Sequence, residues 1–316
     1  MADPPEARPA WSAELTLAGA GGEPVDLRRT ITSHGLVDLP PMRPDADGRA
    51  LEITLPIAGG RPRTVRIAEG RPGRALVTAA GRPPSARQAD GLLAAVAHVL
   101  RLDEDLSRFY AQVAADPDLT WVAGGAGRLI RSPTVFEEVV KTICTTNCAW
   151  SGTVRMVGAL VEHLGEAAPG APAEGPLGRA FPTPAAMAEA DESFYRDVAR
   201  TGYRGAYLRS LATDVASGRL DLEELARAEA DELPDEEVAT RLLALPGVGP
   251  YAAAHVMMLL GRYSRLVLDS WTRPKYASLH GRKAKDATIE RRFRGFGPYA
   301  GLAFWLFLTR DWVPET

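Results

Sequence analysis

The chain reads as an α+β protein, mainly α, with a small N-terminal antiparallel β domain over residues 12–85 and a helical domain over 86–316. Three observations predict this class. Up to about residue 85, short runs alternate apolar and polar residues between Gly- and Pro-rich turns. From Ser85 onward, apolar residues recur at helical spacing. No fixed-period repeat suggests a solenoid or propeller.

Taken in order, the first dozen residues, rich in Pro and Ala, read as a loose tail. LEITLPI, RTVRIAE and RALVTAA then read as strands of one antiparallel sheet. The helical half begins with ADGLLAAVAHVLRL, SRFYAQVAAD, VFEEVVKTICTT and TVRMVGALVEHL, punctuated by Asp116-Pro117 and Gly165. Residues 165–181 are a Pro/Gly/Ala-rich surface loop. Helices resume through AAMAEADESFYRDVAR, GAYLRSLATDVAS, EEVATRLLAL, AAAHVMMLLG and YAGLAFWLFLTRDW.

Composition narrows the function classes. No apolar run approaches the roughly 18 residues of a membrane span, and MADPPEARPAW lacks the pattern of a secretory signal. Cys144 and Cys148 are the only cysteines, so a four-cysteine metal or iron–sulfur site is excluded. Two reduced thiols fit a cytoplasmic protein. The Ala-, Arg- and Gly-heavy composition fits a GC-rich bacterium, with action at the nucleoid. Net charge is −3, but the charge is segregated. Residues 221–237 are strongly acidic, whereas residues 262–294 carry ten Lys and Arg against Asp269, Asp286 and Glu290. The basic stretch is either a DNA-facing patch or a solvated face of other purpose.

Leu245-Pro246-Gly247-Val248-Gly249-Pro250-Tyr251 joins two apolar helical segments. Gly247 and Gly249 permit positive φ and close backbone approach. Pro250 suits the first turn of the second helix. Free N–H groups at that helix start, with its dipole, suit a DNA phosphate. Such a turn reads the backbone and not the base sequence.

Eighteen residues past Tyr251, the strand-like run Leu266-Val267-Leu268 delivers Asp269 to a helix start. Asp269 there is a helix cap, a catalytic carboxylate or both. LPGVGPYAA followed by VLDSWTR resembles the hairpin and catalytic-aspartate signature of the helix-hairpin-helix (HhH-GPD) DNA glycosylase superfamily. The stretch 136–165 with ICTTNCAW, the loop Thr201–Tyr207 and the segment Gly297–Gly301 resemble further motifs of its 8-oxoguanine branch, in the same order.

The resemblance implies flipping of a damaged base from double-stranded DNA and cleavage of its glycosidic bond. Asn147 would fill the vacated space, Tyr203 would wedge beside the opposite strand, and Arg204 would touch the orphaned base. Helix capping by Asn147, and surface packing by Tyr203 and Arg204, are the plainer alternatives. Gly247, Val248, Gly249, Tyr251 and Arg273 would meet the DNA backbone. Asp269 would stabilise positive charge on the sugar and help activate water. Bifunctional members carry a lysine where this chain has Tyr251, and tyrosine cannot form an imine. A monofunctional glycosylase without lyase action is therefore expected.

In the 8-oxoguanine branch, positions matching Phe304 and Leu308 read and stack the base, and a cysteine falls at His255. The reading amide is absent here. An aromatic pocket from Trp271 with Phe304 or Trp305 would favour an electron-poor alkylated purine. Core packing is the alternative for Phe304 and Trp305, as it is for His255. Uracil, mismatched thymine or an oxidised purine are other substrates to weigh, and a non-catalytic DNA-binding protein is the reading from another class. Relatives often hold Na+ or K+ on hairpin carbonyls, which would fall near Leu243, Leu245 and Val248. No organic cofactor or membrane partner is implied, and a monomer is expected.

Overall fold

The computed structural model describes residues 11–313. Of the expected tail, residues 1–10 lie outside the described residues, while Trp11 and Ser12 already open a strand. Five strands form one antiparallel sheet in the order β1-β5-β4-β3-β2, with β1 Trp11–Thr16, β2 Met42–Pro44, β3 Ala50–Ile57, β4 Gly60–Glu69 and β5 Arg74–Ala79. Alternation sets the register: Ile53 pairs Val65 and Ile67 pairs Val77, all four buried on one face.

Between β1 and β2 the chain is helical, which the alternating pattern did not announce. Helix α1 (Leu27–Ile31) is capped by Asp26 and followed by a 3-10 turn, Gly35–Asp38. Helix α2 (Ala86–Val99) starts at a capping box, in which Ser85 and Gln88 satisfy each other's backbone N–H. Its Leu92, Val96 and Val99 close the core over the sheet, so apolar packing continues across residue 85.

The remaining helices are α3 (Ser107–Val113), α4 (Val135–Thr145), α5 (Trp150–Leu164), α6 (Pro184–Glu189), α7 (Arg204–Ala216), α8 (Glu224–Arg227), α9 (Asp235–Leu243), α10 (Pro250–Leu259), α11 (Thr272–His280), α12 (Asp286–Phe293) and α13 (Ala300–Thr309). The segment expected as one helix near 185–200 breaks after Glu189 and ends in a single π turn, Phe194–Val198. Two cores hold these helices. One gathers α4, α5, α7, α9 and one face of α10; the other gathers α3, α11, α12, α13 and the opposite face of α10. Helix α10 is shared because eight of its ten residues, Ala252–Leu259, are buried. No helix among the described residues is long and apolar enough to cross a membrane.

Candidate active site

The expected hairpin forms between α9 and α10. Gly247 lies at φ +83, and a Cβ there would stand 2.8 Å from the Tyr207 ring. Gly247 therefore answers to both a left-handed backbone and a close approach. Gly249 differs from the expectation of positive φ: it sits at φ −95, extended, as the residue before α10. A Cβ on Gly249 would meet nothing within 4 Å, so this glycine leaves open surface at the helix start. Pro250 takes the first helical position, and the first bond of the helix runs from the Ala253 N–H to the Gly249 carbonyl. The N–H groups of Tyr251 and Ala252 precede that bond and lie at the positive end of the dipole. Leu245 O accepts the Val248 N–H at 3.1 Å, and the carbonyls of Leu243 and Val248 take no turn or loop bond. Free carbonyl lone pairs of this kind suit a monovalent cation.

Asp269 closes the entry to α11. Its Oδ1 accepts the N–H groups of Trp271 at 2.8 Å and Thr272 at 2.6 Å, and its own N–H donates to Thr272 Oγ1 at 2.8 Å. Capping and a functional role are compatible, since two of these bonds fix one carboxylate oxygen and leave Oδ2 without a hydrogen-bond partner among the described residues. Residues 266–268 are not a strand: no strand among the described residues pairs with them. They pass instead beside α13, where Gly301 donates to Tyr263 O and a Cβ on Gly301 would collide with Arg265 O.

Around Asp269 the sequence-predicted residues divide. His255, one turn along α10 from Tyr251, is buried, with ring centroids 5.9 Å apart. Burial pushes its imidazole down to about 4, while the Asp269 charge pulls it up. Burial likewise raises the Tyr251 phenol, with the Thr145 hydroxyl opposing and the Asp269 charge adding. Trp271 is 40% exposed and packs on Trp305 and Trp312 at 5.6 and 5.7 Å. Phe304 and Leu308 are corrected: both are fully enclosed, Phe304 among Tyr276 and Phe293. The neighbouring Trp305 is the one turned towards Trp271, as the 100° step between adjacent helix positions requires.

Two loops meet on the same side as the hairpin. Asn147 has φ +47 and its Nδ2 donates to the Tyr203 hydroxyl at 3.4 Å. Tyr203 is 55% exposed and packs on Tyr207, the ring that Gly247 abuts. Arg204 does not reach outward as expected. It is buried, its guanidinium stacks 4.6 Å from the Tyr203 ring centroid, and it donates to the Thr146 carbonyl. Its side chain is consumed in tying the Asn147 turn to the Tyr203 loop.

The basic stretch is also less free than its composition. Arg262, Arg265, Arg273, Lys275 and Arg292 pair with Asp235, Glu236, Asp286, Asp311 and Asp116, respectively. Arg273, expected on DNA, holds Asp286 through two bonds of 2.9 Å. Arg282, Lys283 and Lys285, around the α11–α12 connection, are exposed and have no ion pair among the described residues. Lys141 on α4 is buried against Glu137 at 2.6 Å, so it offers no amine to the site.

Sequence reasoning missed the N-terminal contribution. Ser33 O accepts the Trp305 indole N–H at 2.7 Å. His34 lies 6.4 Å from His255, ring to ring, and Gly35 faces Trp150. A lone histidine outside any periodic pattern carries no local signal of this meeting.

No family model matches the chain, and no curated protein matches it. Solved structures do. Similarity to the 3-methyladenine DNA glycosylase of Archaeoglobus fulgidus covers 96% of this chain and 100% of that one, at 18% identity and TM-score 0.71. MBOgg1, solved with a low-affinity DNA ligand, gives 96% of each chain, 19% identity and TM-score 0.70. The 8-oxoguanine glycosylase/lyase of Clostridium acetobutylicum gives 87% of this chain and 93% of that one, 20% identity and TM-score 0.63. The chain therefore has the α+β glycosylase fold from its first strand to its last helix.

Proposed function

We propose that this protein is a monofunctional DNA glycosylase of base excision repair, which flips a damaged base, an alkylated purine, out of duplex DNA and hydrolyses its glycosidic bond. The observation that carries the reading is the Asp269 carboxylate, locked by two backbone N–H groups beside the start of α10, with one oxygen left unpartnered. In the reaction the hairpin grips a phosphate, Tyr203 and Asn147 enter the duplex, and the lesion swings towards Asp269. As the base departs, the fixed carboxylate stabilises the cationic sugar without reorganising, and Oδ2 orients the attacking water. Tyr251 stands where an amine would be needed for strand cleavage, and Lys141 is held by Glu137. The product is thus an abasic site. Trp271, Trp305 and Trp312 supply π faces for an electron-deficient purine. The Leu243, Leu245 and Val248 carbonyls would hold a sodium or potassium ion, whose charge adds to the attraction for phosphate.

The test is excision from duplexes carrying 3-methyladenine, 7-methylguanine, hypoxanthine, ethenoadenine, uracil, mismatched thymine or 8-oxoguanine, with products resolved before and after alkali. Alkali-dependent breaks at alkylated purines, reduced at least about 100-fold in Asp269→Asn, are expected. Breaks without alkali refute the monofunctional reading. Release of 8-oxoguanine alone refutes the alkylpurine reading, and release of none refutes catalysis.

A further inference from the structure

Two imidazoles meet where the N-terminal domain joins α10, and bond cleavage uses neither. His34 and His255 are both buried, with ring centroids 6.4 Å apart and planes at 83°. His255 neighbours Tyr251 and lies within the field of Asp269. His34 lines a groove of about 500 Å3 with Gly35 and Trp312, and Trp312 packs on Trp271, two residues past Asp269. The pair therefore lies between the Tyr251 side of α10 and the groove that Trp312 borders.

We infer that His34 reads the edge of the extracted base as a hydrogen-bond acceptor, so that the pocket takes bases with an N–H on that edge and rejects bases without one. The inference rests on the glycosylase reading and names its selectivity. The argument begins with the ring's fixed tautomer. His34 Nε2 lies 2.6 Å from the Ile130 carbonyl, which only accepts, so Nε2 carries the hydrogen. Burial pushes the His34 imidazole down to about 3, against the Ile130 hydrogen bond, which raises it, and with the Arg101 and Lys141 charges adding to the fall. The ring is neutral at pH 7, and Nδ1 is a bare lone pair. That atom is enclosed and has no hydrogen-bond partner, and His255 Nε2 is in the same condition. An enclosed acceptor left bare weakens a fold, so such atoms call for an explanation. A donor on the ligand supplies one. A site built around a hydrogen bond rejects the isostere that lacks it far more strongly than an apolar pocket does.

The chemistry selects among purines. The exocyclic amine of 3-methyladenine donates, as does the ring N–H of hypoxanthine. In ethenoadenine the exocyclic nitrogen and the neighbouring ring nitrogen are both tied into a third fused ring and offer no hydrogen.

The experiment uses the full chain and two readouts. Single-turnover release of 3-methyladenine and ethenoadenine from duplex is measured for the native protein, His34→Leu, His34→Asn and Asp269→Asn. Quenching of tryptophan fluorescence by the two free bases gives binding without chemistry, and thermal melts report folding. The native protein is expected to favour 3-methyladenine in both assays. His34→Leu should lose about 10- to 100-fold on 3-methyladenine and change little on ethenoadenine. His34→Asn, whose amide both accepts and donates, should recover 3-methyladenine and gain ethenoadenine. Equal losses on both bases would make His34 structural and overturn the inference, with the glycosylase reading intact. If no duplex lesion is released, the glycosylase reading fails, and quenching decides the inference alone. Selective quenching by 3-methyladenine, lost in His34→Leu, supports it; equal quenching overturns it.

Discussion

Two glycines of the hairpin turn are separated by a single residue, Val248, yet replacing each with alanine should have different consequences. At Gly247 the backbone is at φ +83, where a Cβ costs about 1–2 kcal/mol. The added methyl would also stand 2.8 Å from Tyr207 Cδ2, so the ring must shift. Together these place the loss for Gly247→Ala at about 2–3 kcal/mol. Gly249 sits at φ −95 with no atom within 4 Å of its Cβ position, so Gly249→Ala should change stability by less than about 0.5 kcal/mol. Its methyl projects where a phosphate would approach α10, and DNA affinity should fall about tenfold, equally on all sequences. Urea denaturation and fluorescence anisotropy on undamaged duplex separate the two effects. Unchanged anisotropy in Gly249→Ala would refute the assignment of this turn to phosphate. An unchanged urea midpoint in Gly247→Ala would refute the packing argument.

Arg204→Leu removes the guanidinium that donates to the Thr146 carbonyl, and should cost about 1–3 kcal/mol; 2-aminopurine fluorescence next to a lesion should show impaired flipping even where the protein remains folded. Replacing Arg282, Lys283 and Lys285 by Glu should flatten the logarithmic salt dependence of DNA binding by roughly 3 units, whereas Arg273→Gln should leave it nearly unchanged, because Asp286 already holds that charge. Acid should destabilise the fold. Below 6.5 the unfolded chain protonates His34 and His255, while the folded rings resist to about 3 and about 4. Burial keeps Glu138 protonated up to about 7 in the fold, against an ordinary 4.5, which offsets one of those two protons. Between 4.5 and 6.5 the net slope is about one proton, or ~1.4 kcal/mol per pH unit, and urea midpoints of His255→Leu should be nearly flat across that window.

What was legible in the sequence is what local chemistry determines. The hairpin follows from Leu-Pro-Gly-Val-Gly-Pro at one place in the chain, and the Asp269 cap needs only residues 269–272. The face of α13 was legible in part: periodicity says that Phe304 and Trp305 diverge, but only packing decides which turns inward. Long-range meetings had no local trace. Arg204 is spent on Thr146, 58 positions earlier, so its guanidinium is not free for DNA. The acidic and basic stretches looked segregated, yet Asp235 and Glu236 at the start of α9 sit against Arg262 and Arg265 and cancel them. The apolar run 266–268 resembled a strand because β propensity reflects a pleated, half-buried setting, and packing against α13 meets the same need without a ladder.

The line of contacts from Asn147 through Tyr203 and Tyr207 to Gly247 has a kinetic consequence. On the proposed function, backbone grip and duplex probe would share one packed unit and could not engage at separate times. Each landing on DNA would then test the local stack at a set distance from the held phosphate. A sound step would resist the intruding ring and release the protein; a weakened one would yield and lengthen the stay. Scanning speed would thereby be linked to the stiffness of one tyrosine pair, with no signal passed from elsewhere in the protein.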